Sequence, residues 1–427
     1  MGKFLFCPEI LNPDMYAPPD QVYGLAKQLL YDCASPFGFL ASPVDETNYR
    51  RVWARDGVIC GIAGLVSGDE KLRAALVATI ETLGSQQGPQ GQIPSNVQVD
   101  EAGNAVEVSY GGLCGRVDTL TWFVIGYAML GLSGEDSGWV MKHKTRAAKA
   151  LELLEAWEFN GRGLVYVPMS GHWADEYLLH GYVLYDQLLR LWALRLMEQL
   201  FPGETFARRD HAALIQANYD FSREADEALL YHAHARRLAI QQTGKPQYLT
   251  AAFSPGGYQM YFDLFAQALA FGQGIPSDTG GLATISFVEK TRKNLPFGLA
   301  PAFWPVVFPG ENDWRFLEAN HKYHFRNEPY GFQNGGLWPV FNGWWGVALA
   351  ASGFKAEAGD MLKGLSLAVT QPAEGSDFYE FIHGQSGNPM GTPRLGWTAA
   401  GWLLAWHALQ NEFPIGWHAR SLTPLPS

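Results

Sequence analysis

Apolar residues recur along the chain with the three-to-four-residue spacing of helices, and strictly alternating stretches are scarce. This pattern predicts about a dozen helices. The predicted segments are Gln21–Cys33, Gly57–Val66, Glu70–Leu83, Thr119–Leu132, Lys142–Trp157, Val183–Leu200, Ala207–Tyr219, Tyr258–Gly272, Gly280–Lys290, Trp344–Ala351, Ala356–Leu367 and Trp397–Gln410. The stretch Asn294–Tyr330 is rich in Pro, Phe, Trp and Asn, so we expect a long loop there with one short helix near Asp313–Asn320.

The residues that carry chemistry fall between the predicted helices, at alternate junctions. This placement is typical of a closed ring of helical hairpins, in which the loops at one rim build a pocket. We therefore predict an all-α fold, an (α/α)6 barrel of six hairpins. No low-complexity tract or charge run marks a linker, so residues 1–427 are expected to form a single domain.

The charge balance narrows the class of partner. A formal net charge of -11 argues against nucleic acid and anionic membrane surfaces, which require clustered Lys and Arg, and favours a small neutral or cationic molecule. The cysteines form no CxxC pair, so we expect small buried side chains and neither a zinc site nor a disulfide framework; they are Cys7, Cys33, Cys60 and Cys114. The apolar stretch in Met1–Ile10 is too short for a signal peptide, so a cytoplasmic location is expected, and the oligomeric state is left open.

Aromatic residues make up 14% of the chain, and several stand beside Gly, Asp or Asn and not inside apolar runs. The C–H face of a pyranose stacks on such rings while its hydroxyls bind carboxylates and amides. A large aromatic core is the alternative.

An Arg–Asp pair at residues 55 and 56 precedes the helix predicted from Gly57. Asp56 is expected to accept hydrogen bonds from sugar hydroxyls, with Arg55 holding it ionised and Trp53 offering a stacking face; an N-cap role for Asp56 is the alternative. Gln92 and Asp118 are further candidate ligands, and Asp118 is placed equally well to cap the helix that it opens.

Two further junctions carry carboxylates. Asp175 and Glu176 stand beside Trp173, where burying both is costly unless one keeps its proton, as a general acid must; a surface acidic pair is the alternative. Glu380 lies among aromatic residues before a Gly-rich loop, a poor place for a solvating charge, and is a candidate catalytic group. Other candidates for the rim or pocket, with buried packing as the alternative for the first four, are Asn334, Trp338, Trp344, Trp345, His383 and Trp397.

The order of these motifs resembles the α/α-barrel glycosidases, a group that includes glucoamylases, processing α-glucosidases, bacterial amylo-1,6-glucosidase-like proteins and alkaline/neutral invertases. The likeness rests on short motifs between about residues 45 and 410. It implies that Arg55 and Asp56 hold the non-reducing sugar, that Asp175 protonates the glycosidic oxygen, with Glu176 or Asp118 as alternatives, and that Glu380 activates water. It also implies an inverting reaction that needs no metal or organic cofactor.

The resemblance implies an exo-acting α-glucosidase for a small soluble saccharide or glucoside, with an invertase acting on sucrose as the runner-up. Two alternatives come from other classes. A sugar 2-epimerase on the same barrel would use paired histidines, for which His321 with His324 and His383 with His407 are candidates. A sugar-binding barrel without catalysis is the other.

Overall fold

The computed structural model describes residues 17–45, 48–370 and 377–422, and these residues are mainly helical. The helices are α1 Pro19–Cys33, α2 Ala54–Val66, α3 Glu70–Ser85, α4 Asp118–Leu132, α5 Ser137–Ala156, α6 Leu184–Leu200, α7 His211–Tyr219, α8 Ala233–Thr243, α9 Leu264–Gly272, α10 Asp278–Arg292, α11 Trp314–Ala319, α12 Pro339–Ala351, α13 Lys355–Thr370 and α14 Gly396–Leu409.

Short antiparallel strands lie between the helices. They are β1 Ala34–Ser35, β2 Gly38–Phe39, β3 Val52–Trp53, β4 Asn96–Val99, β5 Ala105–Ser109, β6 Tyr182–Val183, β7 Ala252–Ser254, β8 Gly257–Gln259, β9 Phe262–Asp263, β10 Phe303–Trp304, β11 Phe381–Ile382 and β12 Pro389–Met390. They pair as β1–β2, β9–β10, β11–β12, β3–β4–β5 and β6–β7–β8.

The most buried helices form a closed ring. In cyclic order α2, α4, α6, α9, α12 and α14 each contact the next, and α14 contacts α2. These helices are buried along most of their length, as their continuous apolar sequences require. Helices α3, α5, α7, α13 and α1 pack outside α2, α4, α6, α12 and α14 respectively. The chain is therefore a helical α/α barrel.

Several inner helices begin directly at a short strand. β3 runs into α2, β6 into α6 and β9 into α9, without an intervening residue. The strand pairs therefore fix where each inner helix starts and place the residues of its first turn beside the interhelical loops. Arg55 and Tyr185 occupy such first turns, and Asp118 is the first residue of α4.

The predicted helices all occur, with some differences at their ends. The first part of the predicted Tyr258–Gly272 helix is wrong, because these residues pair as β8 with β7 and as β9 with β10. Helix α8 was missed, since few of its residues are apolar. The short helix expected near residues 313–320 is α11.

Two expectations concern the cysteines and membrane crossing. Cys33 and Cys60 are buried as expected, Cys114 is partly exposed, and Cys7, like the whole of residues 1–10, lies outside the described residues. Within the ranges that the structure covers, no helix combines the length and the apolar character needed to cross a bilayer.

Candidate active site

Arg55 joins the first turns of three inner helices. Its Nη1 donates to Oδ2 of Asp118 at 2.7 Å, and the Tyr185 hydroxyl donates to the same oxygen at 3.1 Å. Asp118 is fully buried, and its Oδ1 has no hydrogen-bond partner in the described part of the chain. The Arg55 guanidinium therefore donates its hydrogen bond to Asp118 and not to Asp56, although its charge lowers the pKa of Asp56.

Asp56 lies next to this ion pair in a different electrostatic setting. It is the third residue of α2, and neither Asp56 nor Asp118 caps its helix, so the capping alternative is wrong for both. Burial raises the pKa of Asp56 to about 6, the charge of Arg55 opposes this shift, and the charges of Glu380 and Asp118 add to it. A carboxyl with no arginine bonded to it remains available to sugar hydroxyls.

Asp175 and Glu176 are each held by their own arginine. Arg116 donates to Oδ2 of Asp175, whose side chain is 32% exposed, and Arg326 donates to Oε1 of Glu176 at 2.9 Å. Glu176 is buried, which excludes the surface-pair alternative for this residue. Each of the two carboxylates therefore faces a cation of its own.

Glu380 is buried and held by a hydroxyl and a backbone amide. The Tyr49 hydroxyl donates to Oε1 at 2.8 Å, and the backbone N–H of Thr392 donates to Oε2 at 3.2 Å. Burial raises the pKa of Glu380, Arg326 and the Tyr49 bond lower it, and the charge of Asp175 raises it. Asp56, Asp175 and Glu380 therefore interact although they come from three distant parts of the chain.

Aromatic rings surround this group of carboxylates. Trp53 stacks on Tyr49 with ring centroids 6.1 Å apart, and the Arg55 guanidinium lies over the Trp397 ring at 5.4 Å. Trp173 is buried against Phe303, with ring centroids 5.1 Å apart. Trp53 keeps a partly exposed face, whereas Trp173 and Trp397 are almost wholly covered.

Three other predicted site residues are already engaged within the protein. The buried Asn334 amide accepts from the Val307 N–H at 2.8 Å and donates to the Val307 carbonyl at 2.8 Å. Trp338 is buried, and its Nε1 donates to the Phe332 carbonyl at 2.8 Å. His383 accepts backbone N–H groups of the turn that follows it. The geometry supports the packing alternative for Asn334 and Trp338, and Trp344 and Trp345 are also fully buried.

Gln92 lines a pocket of about 390 Å³ that Arg116 also lines. Its amide is bonded to the Gln90 side chain at 2.9 Å. Arg116 contacts both this pocket and Asp175, so the pocket adjoins the group of carboxylates.

Several residues of this site carried no predicted role. Tyr49, Arg116 and Arg326 hold the carboxylates. Tyr49 and Arg116 lie shortly before Arg55 and Asp118 in the sequence, whereas Arg326 falls in the stretch without a helical pattern. His172 is buried, and burial followed by the charge of Arg116 lowers its pKa to about 3. A neutral imidazole with an unpartnered Nε2, in the described part of the chain, suits a hydrogen bond to a ligand.

Two more buried carboxyls line the barrel interior. Burial raises the pKa of Asp263 to about 7, and the Trp173 Nε1 donates to it at 3.5 Å. Burial also raises the pKa of Asp186, whose two oxygens have no partner within the described ranges.

Each histidine pair expected for an epimerase includes a member that is exposed or bonded at the far end of a helix. His407 is at the end of α14, bonded to Glu412, and His324 is exposed. No group of three or more His, Cys, Asp or Glu among the described residues is arranged to hold a metal ion.

Solved structures with similar folds include glycoside hydrolases. One is a mannosylglycerate hydrolase of glycoside hydrolase family 63 from Thermus thermophilus, in complex with glucose, with a TM-score of 0.63 and 12% identity over 91% of this chain and 100% of that one. Another is a glycosidase in complex with glucose, with a TM-score of 0.59 and 14% identity over 93% and 98% of the two chains. A bacterial glucoamylase in complex with acarbose has a TM-score of 0.57 and 15% identity over 93% of this chain and 56% of its own.

No protein-family model and no curated protein matches this sequence. The structural likeness confirms the predicted resemblance to α/α-barrel glycosidases at the level of the fold.

Proposed function

We propose that this protein is an inverting, exo-acting glycoside hydrolase that cleaves a small α-glucoside. The observation that carries the proposal is that the loops bearing Asp175 and Glu380, which precede different inner helices, meet in the structure. Arg326, which bonds Glu176, lies 3.7 Å from the centre of the Phe332 ring, and this ring packs against Phe381, the neighbour of Glu380, with ring centroids 5.4 Å apart. Inverting glycosidases place an acid and a base on opposite sides of the scissile bond, with room for one water between them. The similar fold of hydrolases that hold glucose supports a sugar as the ligand.

The non-reducing sugar binds at the first turn of α2. Asp56 accepts hydrogen bonds from two hydroxyls, while Arg55 remains bonded to Asp118 and presents a fixed guanidinium edge. The partly exposed ring of Trp53 stacks on the sugar face, and His172 offers a neutral nitrogen. Trp173 and Trp397 support these groups from beneath.

Asp175 is the general acid in this proposal. Its side chain is 32% exposed, so a glycosidic oxygen can reach it, whereas Glu176 and Asp118 are buried. Arg116 donates to the Asp175 carboxylate, so it must loosen this contact for Asp175 to present a proton to the glycosidic oxygen. Proton transfer to the leaving oxygen then breaks the C–O bond.

Glu380 acts as the general base. Its carboxylate takes a proton from the water that attacks the anomeric carbon from the face opposite to the leaving group, which inverts the configuration. Tyr49 and the Thr392 amide fix the orientation of the carboxylate. Arg326 lowers its pKa and so helps to keep it ionised.

We also propose that the barrel consists of six hairpins in one domain. The cyclic contacts of α2, α4, α6, α9, α12 and α14, with outer helices behind five of them, support this count.

Proton NMR of the purified protein with α- and β-disaccharides, sucrose, trehalose and glucosylglycerate tests the proposal. We expect the β-anomer to appear first from an α-linked glucoside, before mutarotation. Early appearance of the α-anomer would contradict inversion. Cleavage of sucrose alone would favour the invertase alternative, and exchange of a C2 proton in N-acetylglucosamine or a free hexose without hydrolysis would favour the epimerase.

A further inference from the structure

The pocket beside Arg116 has a volume of about 390 Å³, within the range of small-molecule sites. Its walls are largely apolar and are formed by Ile93, Leu120, Tyr110 and the half-buried Trp157. Gln92 and Arg116 are the polar side chains of the wall. None of its lining residues is a carboxylate.

The polar groups of this wall are already engaged. The Tyr110 hydroxyl donates to the Gln86 carbonyl at 2.7 Å, which fixes the ring, and the Gln92 amide is bonded to Gln90 at 2.9 Å. Arg116 donates to the Ser170 carbonyl and to Asp175. A ligand with many hydroxyls would lose hydrogen bonds to water here without replacing them, whereas an apolar group gains by leaving water.

The position of Arg116 shows that the pocket lies next to the proposed proton donor. Arg116 forms part of the pocket wall and bonds the carboxylate of Asp175, the proposed proton donor. The leaving group of an inverting glycosidase lies on the side of the acid. A leaving group that extends from Asp175 past Arg116 therefore enters this pocket.

We infer that the pocket is the leaving-group subsite and that it takes an apolar alkyl or aryl aglycone in preference to a second sugar. The inference rests on the proposed function, because it needs Asp175 to be the acid. To the proposed function this inference adds the chemical class of the leaving group.

A series of alkyl glycosides tests the inference. Methyl, butyl and hexyl α-glucosides, or the same glycosides of whichever sugar NMR identifies, differ in apolar length but hardly in the acidity of the alcohol. We expect kcat/KM to rise by up to about fourfold for each methylene that the pocket buries, the factor corresponding to about 0.8 kcal/mol. Between methyl and hexyl we expect a rise of at least about tenfold.

Two variants locate the effect. Trp157→Ala removes the largest apolar wall, so we expect it to abolish most of the rise with chain length while kcat/KM for the methyl glycoside stays within about twofold. Tyr110→Ala, at the edge of the pocket, should weaken the rise without the same risk to folding. Phe159→Ala, two residues from Trp157 and 77% exposed, is the matched control and should leave the series unchanged.

The outcomes separate the inference from the proposed function. Hydrolysis with the same kcat/KM for methyl and hexyl glycosides, or a rise that survives in both Trp157→Ala and Tyr110→Ala, overturns the leaving-group subsite and leaves the glycosidase intact. If no glycoside is hydrolysed, the proposed function fails and the inference fails with it.

Discussion

The junctions before α6 and before α14 both bury carboxylates at the barrel rim, but they stabilise them differently. Before α6, Asp175 and Glu176 are adjacent in sequence, and each is bonded to an arginine. Before α14, Glu380 stands without an adjacent acid and is bonded by a tyrosine hydroxyl and a backbone N–H. Arg326 bonds Glu176 and also lowers the pKa of Glu380, so it connects the two junctions.

The difference shows how a protein can bury several acids in one site. Direct ion pairs offset the burial of charge at the first junction, where two neighbouring charges would otherwise repel. At the second, burial raises the pKa of Glu380, and hydrogen bonds together with a more distant cation limit the rise. A base at this position therefore ionises at a pH somewhat above that of an ordinary glutamate.

The largest effect is expected from Glu380→Gln, which keeps the size of the side chain but removes the base and one of its two acceptor oxygens. We expect kcat to fall by at least about a hundredfold, the low end for losing general-base help, with little change in sugar binding or thermal stability. Steady-state kinetics and circular dichroism measure this. Glu152→Gln on the exposed face of α5 is the control, and wild-type turnover in Glu380→Gln would rule out the base role.

The loss of activity in Asp175→Asn should depend on the leaving group, because a general acid matters most when the departing alcohol needs a proton. For an alkyl glucoside we expect a loss of about a hundredfold or more. For α-glucosyl fluoride, whose leaving group needs no proton, we expect a much smaller loss. If Glu176→Gln shows this contrast and Asp175→Asn does not, the two carboxylates exchange roles.

Arg326→Met tests whether the ion pair at the first junction matters for stability. The Glu176 side chain is 4% exposed and that of Arg326 28% exposed, so removing the cation leaves a buried charge without a partner. We expect the free energy of unfolding to fall by about 2 kcal/mol, below the roughly 3–5 kcal/mol of a fully buried pair because Arg326 is partly exposed. Arg420→Met is the matched control: its side chain is 58% exposed, and we expect less than about 1 kcal/mol. Equal losses in chemical denaturation would show that burial of Glu176 does not depend on Arg326.

The sequence predicts most of the barrel because the inner helices are buried on every side and read as long apolar runs. Helix α4 follows the pattern to within one residue. Helix α12 begins at Pro339, earlier than predicted, since Pro, Asn and Gly in its first turns resemble a loop although Pro favours the first turn of a helix. The pattern of apolar residues before α9 fits a strand or a helix equally well. These residues form strands because they pair with β7 and β10.

The carboxylates of the site were also predictable, because each stands in a short polar and aromatic motif between helices. Their partners were not. Arg116 and Asp175 are 59 positions apart, Arg326 and Glu176 are 150 apart, and Tyr49 and Glu380 are 331 apart. No local sequence pattern predicts which distant loops meet. Spacing alone therefore could not predict that Arg55 bonds Asp118 and not Asp56.

The smallest effect is expected from Tyr49→Phe, measured as the pH dependence of kcat/KM. The Tyr49 hydroxyl donates to Glu380 and lowers its pKa, so losing this bond raises the pKa further. Since a base must be ionised to act, the acid limb of the profile should move to higher pH, by about one unit for a bond worth about 1.4 kcal/mol. The alkaline limb should stay in place, because the hydroxyl that is removed donates to Glu380.

Tyr248→Phe is the control for losing a tyrosine hydroxyl, since its bond to the Met260 carbonyl is remote from the carboxylates. An acid limb that stays in place in Tyr49→Phe, or moves to lower pH, would mean that the group titrating there is not Glu380. Asp56 would then be the next group to test, because burial raises its pKa to about 6 and it has no tyrosine bond to lose. In that case Asp56→Asn, and not Tyr49→Phe, should displace the acid limb.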